Sequence, residues 1–228
     1  MLVKFWMNKP VITLEQTDPL QKGADLMREK HIRRLPVMDN GRLCGIVSDR
    51  DLRQALASDG SGEAGNKQTH LKATSPVSEI MTQKVRVAHP DWTIEEVADL
   101  LLQNKISGAP VVDDEGKLCG IITQSDLFKS TLYLTGLKQR GFHLALVLED
   151  RPGSIMEIVN VIRQFDGRMA SILSTYDRAP NNYRNVYLRF YGVSRDRLDD
   201  MLNLLREKAR LRYIVDHREN RRTMFSSN

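Results

Sequence analysis

The stretch Leu43-Cys44-Gly45-Ile46-Val47-Ser48-Asp49-Arg50-Asp51-Leu52 returns as Leu118-Cys119-Gly120-Ile121-Ile122-Thr123-Gln124-Ser125-Asp126-Leu127. Outward from this pair, residues 7–52 align with 81–127, with one extra residue, Glu115, in the second copy. The alignment holds 16 identities over 46 positions. Met7-Asn8-Lys9-Pro10-Val11 falls on Met81-Thr82-Gln83-Lys84-Val85, and Ala24-Asp25-Leu26 on Ala98-Asp99-Leu100. Leu35-Pro36-Val37-Met38-Asp39 falls on Ala109-Pro110-Val111-Val112-Asp113. Two copies are too few for an open solenoid, which needs about three or more. They are expected to face each other across a pseudo-two-fold and close one core.

Each copy carries the same local plan. A short extended piece, Val11 to Leu14 or Val85 to Ala88, leads to a helix. In the first copy Asp18 is expected to cap that helix, with Pro19 at its first position. In the second, Thr93 and Glu96 have capping-box spacing. Ile94, Val97, Ala98 and Leu101 recur at helical spacing. Two short β-type pieces follow, around Pro36 to Met38 and Leu43 to Val47, joined by Asn40-Gly41, a strong hairpin signal. Glu115-Gly116 stands at the same turn in the second copy, and a second helix is expected after Ser48 and after Thr123. Between the copies, Ser58 to Thr74 includes Asp59-Gly60-Ser61-Gly62-Glu63-Ala64-Gly65-Asn66, the composition of a flexible linker.

Composition sets outer bounds. The 228 residues allow one large domain or two smaller ones. With 41% hydrophobic and 28% charged residues, a packed core is affordable and disorder is excluded. The apolar runs fall far short of the ~20 residues of a membrane helix. Met1 to Trp6 runs straight into polar residues, without the apolar region and cleavage site of a secretory signal. A cytoplasmic, soluble, globular protein is expected. Charge is uneven: residues 1–135 carry 17 Lys+Arg against 18 Asp+Glu, and residues 136–228 carry 17 against 11. The basic half suits an anionic ligand, an acidic protein or nucleic acid, or is a solvated Arg-rich surface.

The repeat resembles the CBS motif, a module usually found as a tandem pair. The marks are the opening methionine before an extended piece and the helix ends at Ile32 and Ile106. The Pro-Val-Asp turn and the closing Gly-hydrophobic-hydrophobic-Ser/Thr-x-x-Asp-Leu complete it, over roughly residues 1–132. The resemblance implies binding of an adenosine compound (AMP, ADP, ATP, S-adenosylmethionine or NAD) in the cleft between copies, and a regulatory role without catalysis. It also implies site residues: Val11, Thr13, Arg33, Arg34, Pro36, Ser48 and Asp51 from the first copy, and Val85, Val87, Ser107, Pro110, Thr123 and Asp126 from the second.

The aspartates Asp51 and Asp126 are the implied ribose ligands, since two carboxylate oxygens suit a vicinal diol. Ser48 and Thr123 would reach a phosphate near the helix N-terminus, where free N–H groups favour anions. The same spacing is also a plain N-terminal capping arrangement, and both roles can coexist. Arg33-Arg34 lies where Ser107-Gly108 stands in the second copy. Two guanidiniums complement phosphates; a solvated helix end is the alternative, and the sequence does not assign the pair to one site. Cys44 and Cys119 read as small buried hydrophobes. His31, His70, His89, His143 and His217 show no metal-ligand spacing. No phosphate-binding loop, dinucleotide fingerprint, zinc-protease motif or nucleophile elbow is present. No metal, catalytic residue or catalytic cofactor is expected.

Residues 142–216 read differently. Phe142, Leu144, Leu146 and Leu148 have strand spacing; Ile155, Ile158, Val159 and Ile162 have helix spacing; Ile172 to Tyr176 is β-rich. Val186, Leu188 and Phe190 alternate, Leu198, Met201, Leu202 and Leu205 return to helix spacing, and Tyr213 to Val215 closes the order. This is βαββαβ, the ferredoxin-like plan, with one sheet face left for a second copy or for the repeats. Glu149-Asp150-Arg151-Pro152-Gly153-Ser154-Ile155 resembles the Asp-x-Pro-Gly-x-Leu/Ile signature of ACT domains. That implies an amino-acid effector at Asp150, Pro152, Gly153, Ser154 and Ile155, or simply a tight turn. Pro152 is expected to lead into the helix, with free N–H groups there.

The fold class expected is α+β: a tandem CBS pair followed by a ferredoxin-like ACT-type domain. The boundaries expected are 1–58, first repeat; 59–74, linker; 75–133, second repeat; 141–217, ACT-like domain; 218–228, a frayed basic tail. A CBS pair followed by an ACT-like domain resembles the acetoin-utilisation AcuB family. The resemblance implies an allosteric sensor of an adenine nucleotide, homodimeric, acting on a regulated protein partner. The alternative is a non-catalytic oligomerisation scaffold with structural or empty CBS sites. The tail lacks aromatic interleaving, so nucleic acid is not an expected partner.

Overall fold

A computed structural model describes residues 1–56 and 71–225. Most of the expected linker therefore lies outside the described residues. The chain divides into two compact units, Met1–Phe128 and Lys129–Asn228.

In the first unit, copy one runs β1 (Leu14–Glu15), α1 (Leu20–Glu29), β2 (Arg34–Asp39), β3 (Arg42–Ser48) and α2 (Asp49–Leu56). Copy two runs α3 (Ile94–Gln103), β4 (Gly108–Val112), β5 (Leu118–Thr123) and α4 (Gln124–Leu134), whose residues from Lys129 on are counted with the second unit. In place of a first strand, Ala88 makes a single parallel bridge to Val111. The strand at the start of each copy is thus shorter than expected, Leu14–Glu15 in the first. Hairpin β2-β3 turns at Asn40 and Gly41, both with positive φ, 47° and 81°. The helices bury Leu20, Gly23 and Met27 on α1, and Ile94, Val97 and Leu101 on α3.

One expectation about the helix starts holds and one is corrected. Thr93 Oγ1 accepts from the Glu96 amide, and the Glu96 carboxylate accepts from the Thr93 amide, a complete capping box. In copy one Pro19 is the N-cap rather than the first helical residue, and no side chain caps α1. Asp18 turns backward instead, accepting from the Glu15 amide at 2.9 Å and pairing with Lys22.

The two copies exchange their opening segments. Val3, ahead of copy one, is fully buried in the core built from Ala88, Ile94, Val97, Leu101, Val111 and Ile122 of copy two. Val77, ahead of copy two, is fully buried in the core of Leu14, Leu20, Leu35, Val37, Val47 and Leu52 of copy one. Asn8 pairs antiparallel with Ile121, and Thr82 with Ile46. The methionine before each of these residues lies flat on a strand glycine of the other copy. A Cβ at Gly45 would overlap Met81 Sδ, and a Cβ at Gly120 would overlap Met7 Sδ. The motif's opening methionine and its glycine are therefore two halves of one contact.

The second unit holds β6 (Phe142–Glu149), α5 (Ser154–Gln164), β7 (Arg168–Thr175), β8 (Tyr183–Tyr191), α6 (Leu198–Arg206), β9 (Arg210–Asp216) and β10 (Arg221–Met224). Its antiparallel sheet has the order β10-β9-β6-β8-β7. Alternate strand residues Phe142, Leu144, Leu146, Leu148, Val186, Leu188 and Phe190 pack with Ile158, Ile162, Met201 and Leu205 of the helices. The tail reading is corrected: Arg221 to Met224 pairs with β9 instead of fraying. Phe225 anchors it, packing against the core beneath the Arg206 guanidinium, 5.1 Å from the ring centre.

Candidate functional site

The two Ser/Thr-x-x-Asp endings sit where β3 meets α2 and where β5 meets α4. Asp51 Oδ2 accepts from the Ser48 amide at 2.8 Å and from Ser48 Oγ at 2.6 Å. Asp126 Oδ2 accepts from the Thr123 amide at 3.0 Å and from Thr123 Oγ1 at 2.7 Å. In copy one the Asp51 amide also donates to Ser48 Oγ at 3.3 Å, which completes a capping box. It uses one carboxylate oxygen and, among the described residues, leaves Asp51 Oδ1 without a hydrogen-bond partner.

Asp51 borders a cavity of about 400 Å³, within the size range of small-molecule sites. Both copies build its walls. Copy one supplies Arg33, Arg34, Ile46, Ser48, Asp49, Arg50, Asp51 and Arg53; copy two supplies Thr82, Lys84, Val85, Arg86 and Lys105 to Gly108. Seven cations thus face two carboxylates. Asp49 is already paired with Arg53 at 2.5 Å. Arg34 is half-buried and reaches across to copy two: a Cβ at Gly108 would stand 3.4 Å from its Nη1. Burial lowers the Arg34 pKa, the neighbouring Arg33 charge lowers it further, and Asp51 opposes both. A bound anion would relieve that crowding.

Of the site residues expected from sequence, Arg33, Arg34, Ser48, Asp51, Val85 and Ser107 line this cavity. Val11, Thr13, Pro36, Val87, Pro110, Thr123 and Asp126 do not. Pro36 and Pro110 are buried inside the hairpins, opposite Ile46 and Ile121. Lys84, Arg86, Arg50, Arg53 and Lys105 went unmarked. Their signal was the repeat alignment itself, which sets Lys84 and Arg86 against Pro10 and Ile12 of copy one.

The cysteines are half-buried rather than buried, each with its thiol on a hairpin carbonyl: Cys44 on Val37 and Cys119 on Val111, both at 3.3 Å. Burial, then the charge of Asp39 or Asp113, raises their pKa, so neither is an activated thiolate.

In the second unit, Gly153 is the N-cap of α5 with φ 86°, a conformation that glycine alone adopts freely. Pro152 lies two residues before the helix rather than at its first position. Asp150 is bound by Arg184, and Arg151 grips Glu157 with two bonds of 2.8 Å. The Ser154 amide is directed to the Arg151 carbonyl at 3.3 Å, so it is not the free donor expected. Asp150, Pro152 and Gly153 are exposed, Ser154 is buried and Ile155 packs on the core.

Two exchanged copies enclosing a cationic cavity, with an aspartate at its edge, define a paired module. Comparison with known proteins gives it a family: the CBS domain model matches residues 3–58 and 77–133. A CBS domain-containing protein from Dictyostelium discoideum is 35% identical over 127 residues, covering 55% of this chain and 88% of that protein. The CBS domain-containing protein YhcV from Bacillus subtilis is 31% identical over 125 residues, covering 55% and 81%. A solved structure described as an acetoin utilization protein, AcuB, from Vibrio cholerae is 32% identical. It has a TM-score of 0.51 and covers 61% of this chain and 96% of its own. The chain belongs to the CBS domain family.

Proposed function

We propose that the protein is a non-catalytic regulatory sensor that binds a phosphate-bearing adenine nucleotide in the cavity beside Asp51. One observation carries the reading: a carboxylate with an open oxygen stands beside seven Lys and Arg side chains. The carboxylate suits a ribose diol, and the cations suit phosphates. The excess positive charge favours AMP, ADP, ATP or NAD over S-adenosylmethionine, whose sulfonium is itself a cation.

The second unit is read as an ACT-like domain that takes an amino-acid effector or a protein partner. Its strand order and the turn at Asp150 to Ile155 support this, and with the likeness to AcuB it suggests an AcuB-type regulator. The sensor is read as a homodimer, supported by apolar residues left exposed: Leu102 on α3, and Phe128 and Leu132 along α4. Sedimentation equilibrium finding only a 26.1 kDa species would count against the dimer.

Calorimetry and thermal shift test the nucleotide. AMP or ATP at ~100 times its dissociation constant adds ~2.7 kcal/mol of stability. That raises Tm by roughly 5–10 °C, at ~2–4 °C per kcal/mol. Asp51→Ala should remove the shift. Arg33→Ala with Arg34→Ala should weaken AMP and ATP by roughly 10- to 100-fold, since bonds to charged groups contribute ~1.5–3 kcal/mol. Adenosine, lacking phosphate, should lose less than about twofold. An equal loss for adenosine and AMP would reject the phosphate role.

A further inference from the structure

We infer that the tandem pair holds one nucleotide per chain, at Asp51, because Asn8 closes the matching position at Asp126. The inference rests on the nucleotide reading above and deepens it.

The two carboxylates are equivalent by sequence and unequal in their surroundings. Asn8 reaches Asp126 through the exchange of opening segments: its backbone pairs with Ile121, with N–H to carbonyl distances of 2.8 and 3.3 Å. From there Asn8 Nδ2 donates to Asp126 Oδ2 at 2.8 Å. That oxygen already accepts two bonds from Thr123, and Asp126 is only 3% exposed. Thr82 holds the same place at the other site, pairing with Ile46 in the same way. Its side chain is shorter, and no hydrogen bond joins it to Asp51 among the described residues. Asp51 is correspondingly half-exposed and borders the cavity.

Charge gives an independent reason. The cavity at Asp51 includes Arg50, Arg53, Lys84, Arg86 and Lys105. Under the repeat alignment their counterparts around Asp126 are Ser125, Phe128, Pro10, Ile12 and His31. A nucleotide at Asp126 would have to uncover a carboxylate that is only 3% exposed, with the Asn8 amide lying on it, and would find fewer cations for its phosphate.

Titration calorimetry with AMP on the full chain tests this, using Asn8→Thr, which copies Thr82, together with Asp51→Asn and Asp126→Asn. One AMP per wild-type chain is expected. Asp51→Asn should weaken it by at least 100-fold, while Asp126→Asn changes affinity by less than twofold. Asn8→Thr should admit a second, weaker equivalent; melting curves check its folding, and Asn8→Ala serves if it fails to fold. Two equivalents on the wild type, equal losses from the two aspartate variants, or folded Asn8 variants that stay at one equivalent would overturn the inference. No AMP binding to the wild type at all would instead sink the nucleotide reading beneath it.

Discussion

Gly45 and Gly120 meet the same neighbour, a methionine offered by the other copy; Asp51 and Asp126 do not share theirs. The copies agree at the contacts that join them. Both thiols bond a hairpin carbonyl, and both opening valines are buried in the partner copy's core. They part at polar positions flanking the two carboxylates, where copy two supplies Lys84 and Arg86 and copy one supplies Pro10, Ile12 and Asn8. Packing tolerates little change in shape. A surface that packs against nothing carries no such constraint, so chemistry can diverge there without cost to the fold.

Three perturbations bear on that contrast. The largest effect is expected where the copies are alike. Gly45→Ala and Gly120→Ala each force a methionine off its strand and should cost about 1–3 kcal/mol, typical of overpacking. Urea unfolding should give the two variants values within ~1 kcal/mol of each other; a wider gap would show that the exchanged contacts are not equivalent. A smaller effect is expected at the helix starts, where the copies differ. Thr93→Ala should cost about 1 kcal/mol by opening the capping box of α3. Asp18→Ala should cost about 0.3–0.5 kcal/mol, since it makes a turn contact and an ion pair with Lys22 without capping α1.

The smallest effect is in pH. Burial pushes the Asp18 carboxyl up, but the Lys22 and Glu15 hydrogen bonds and the Lys22 charge bring it below the ordinary value. A depressed carboxyl stabilises the fold above its unfolded pKa of ~3.9, and loses that contribution as pH falls through the folded value. Trp92 stands at this position in copy two, where the neighbouring Asp91 is lowered instead by its hydrogen bond to Lys4, so Asp18 carries copy one's share of the acid sensitivity. Asp18→Asn should flatten the stability profile below about pH 4 and leave its slope at neutral pH unchanged. An unaltered acid limb would remove Asp18 from the account.

Much of this was legible in the sequence because it is local or repeated. The hairpin turn at Asn40-Gly41, the capping box at Thr93 and Glu96, and the strand-helix alternation from Phe142 to Val215 follow from spacing alone. The repeat located Asp51. What escaped was non-local. Met81 and Gly45 were both visible, but nothing in their separation says that one rests on the other. Asn8 appeared only as a mismatch with Thr82; its meaning needs the bridge to Ile121. Strand β10 was missed because Arg221-Arg222-Thr223-Met224 has little apolar content. Its order comes from Phe225 beyond it, which docks on a core assembled elsewhere.

The exchanged openings also say why the copies come as a pair. One copy alone would leave a bare glycine groove on its hairpin and an unburied valine at its start. The segment that fits the groove is the opening of a second copy of the motif. The tandem is therefore a symmetric dimer written into one polypeptide. A true homodimer must apply every substitution twice, once on each side of its axis. Joining the halves lifts that rule: one pocket can gather charge while its twin is stoppered, and neither change has to be tolerated in both places.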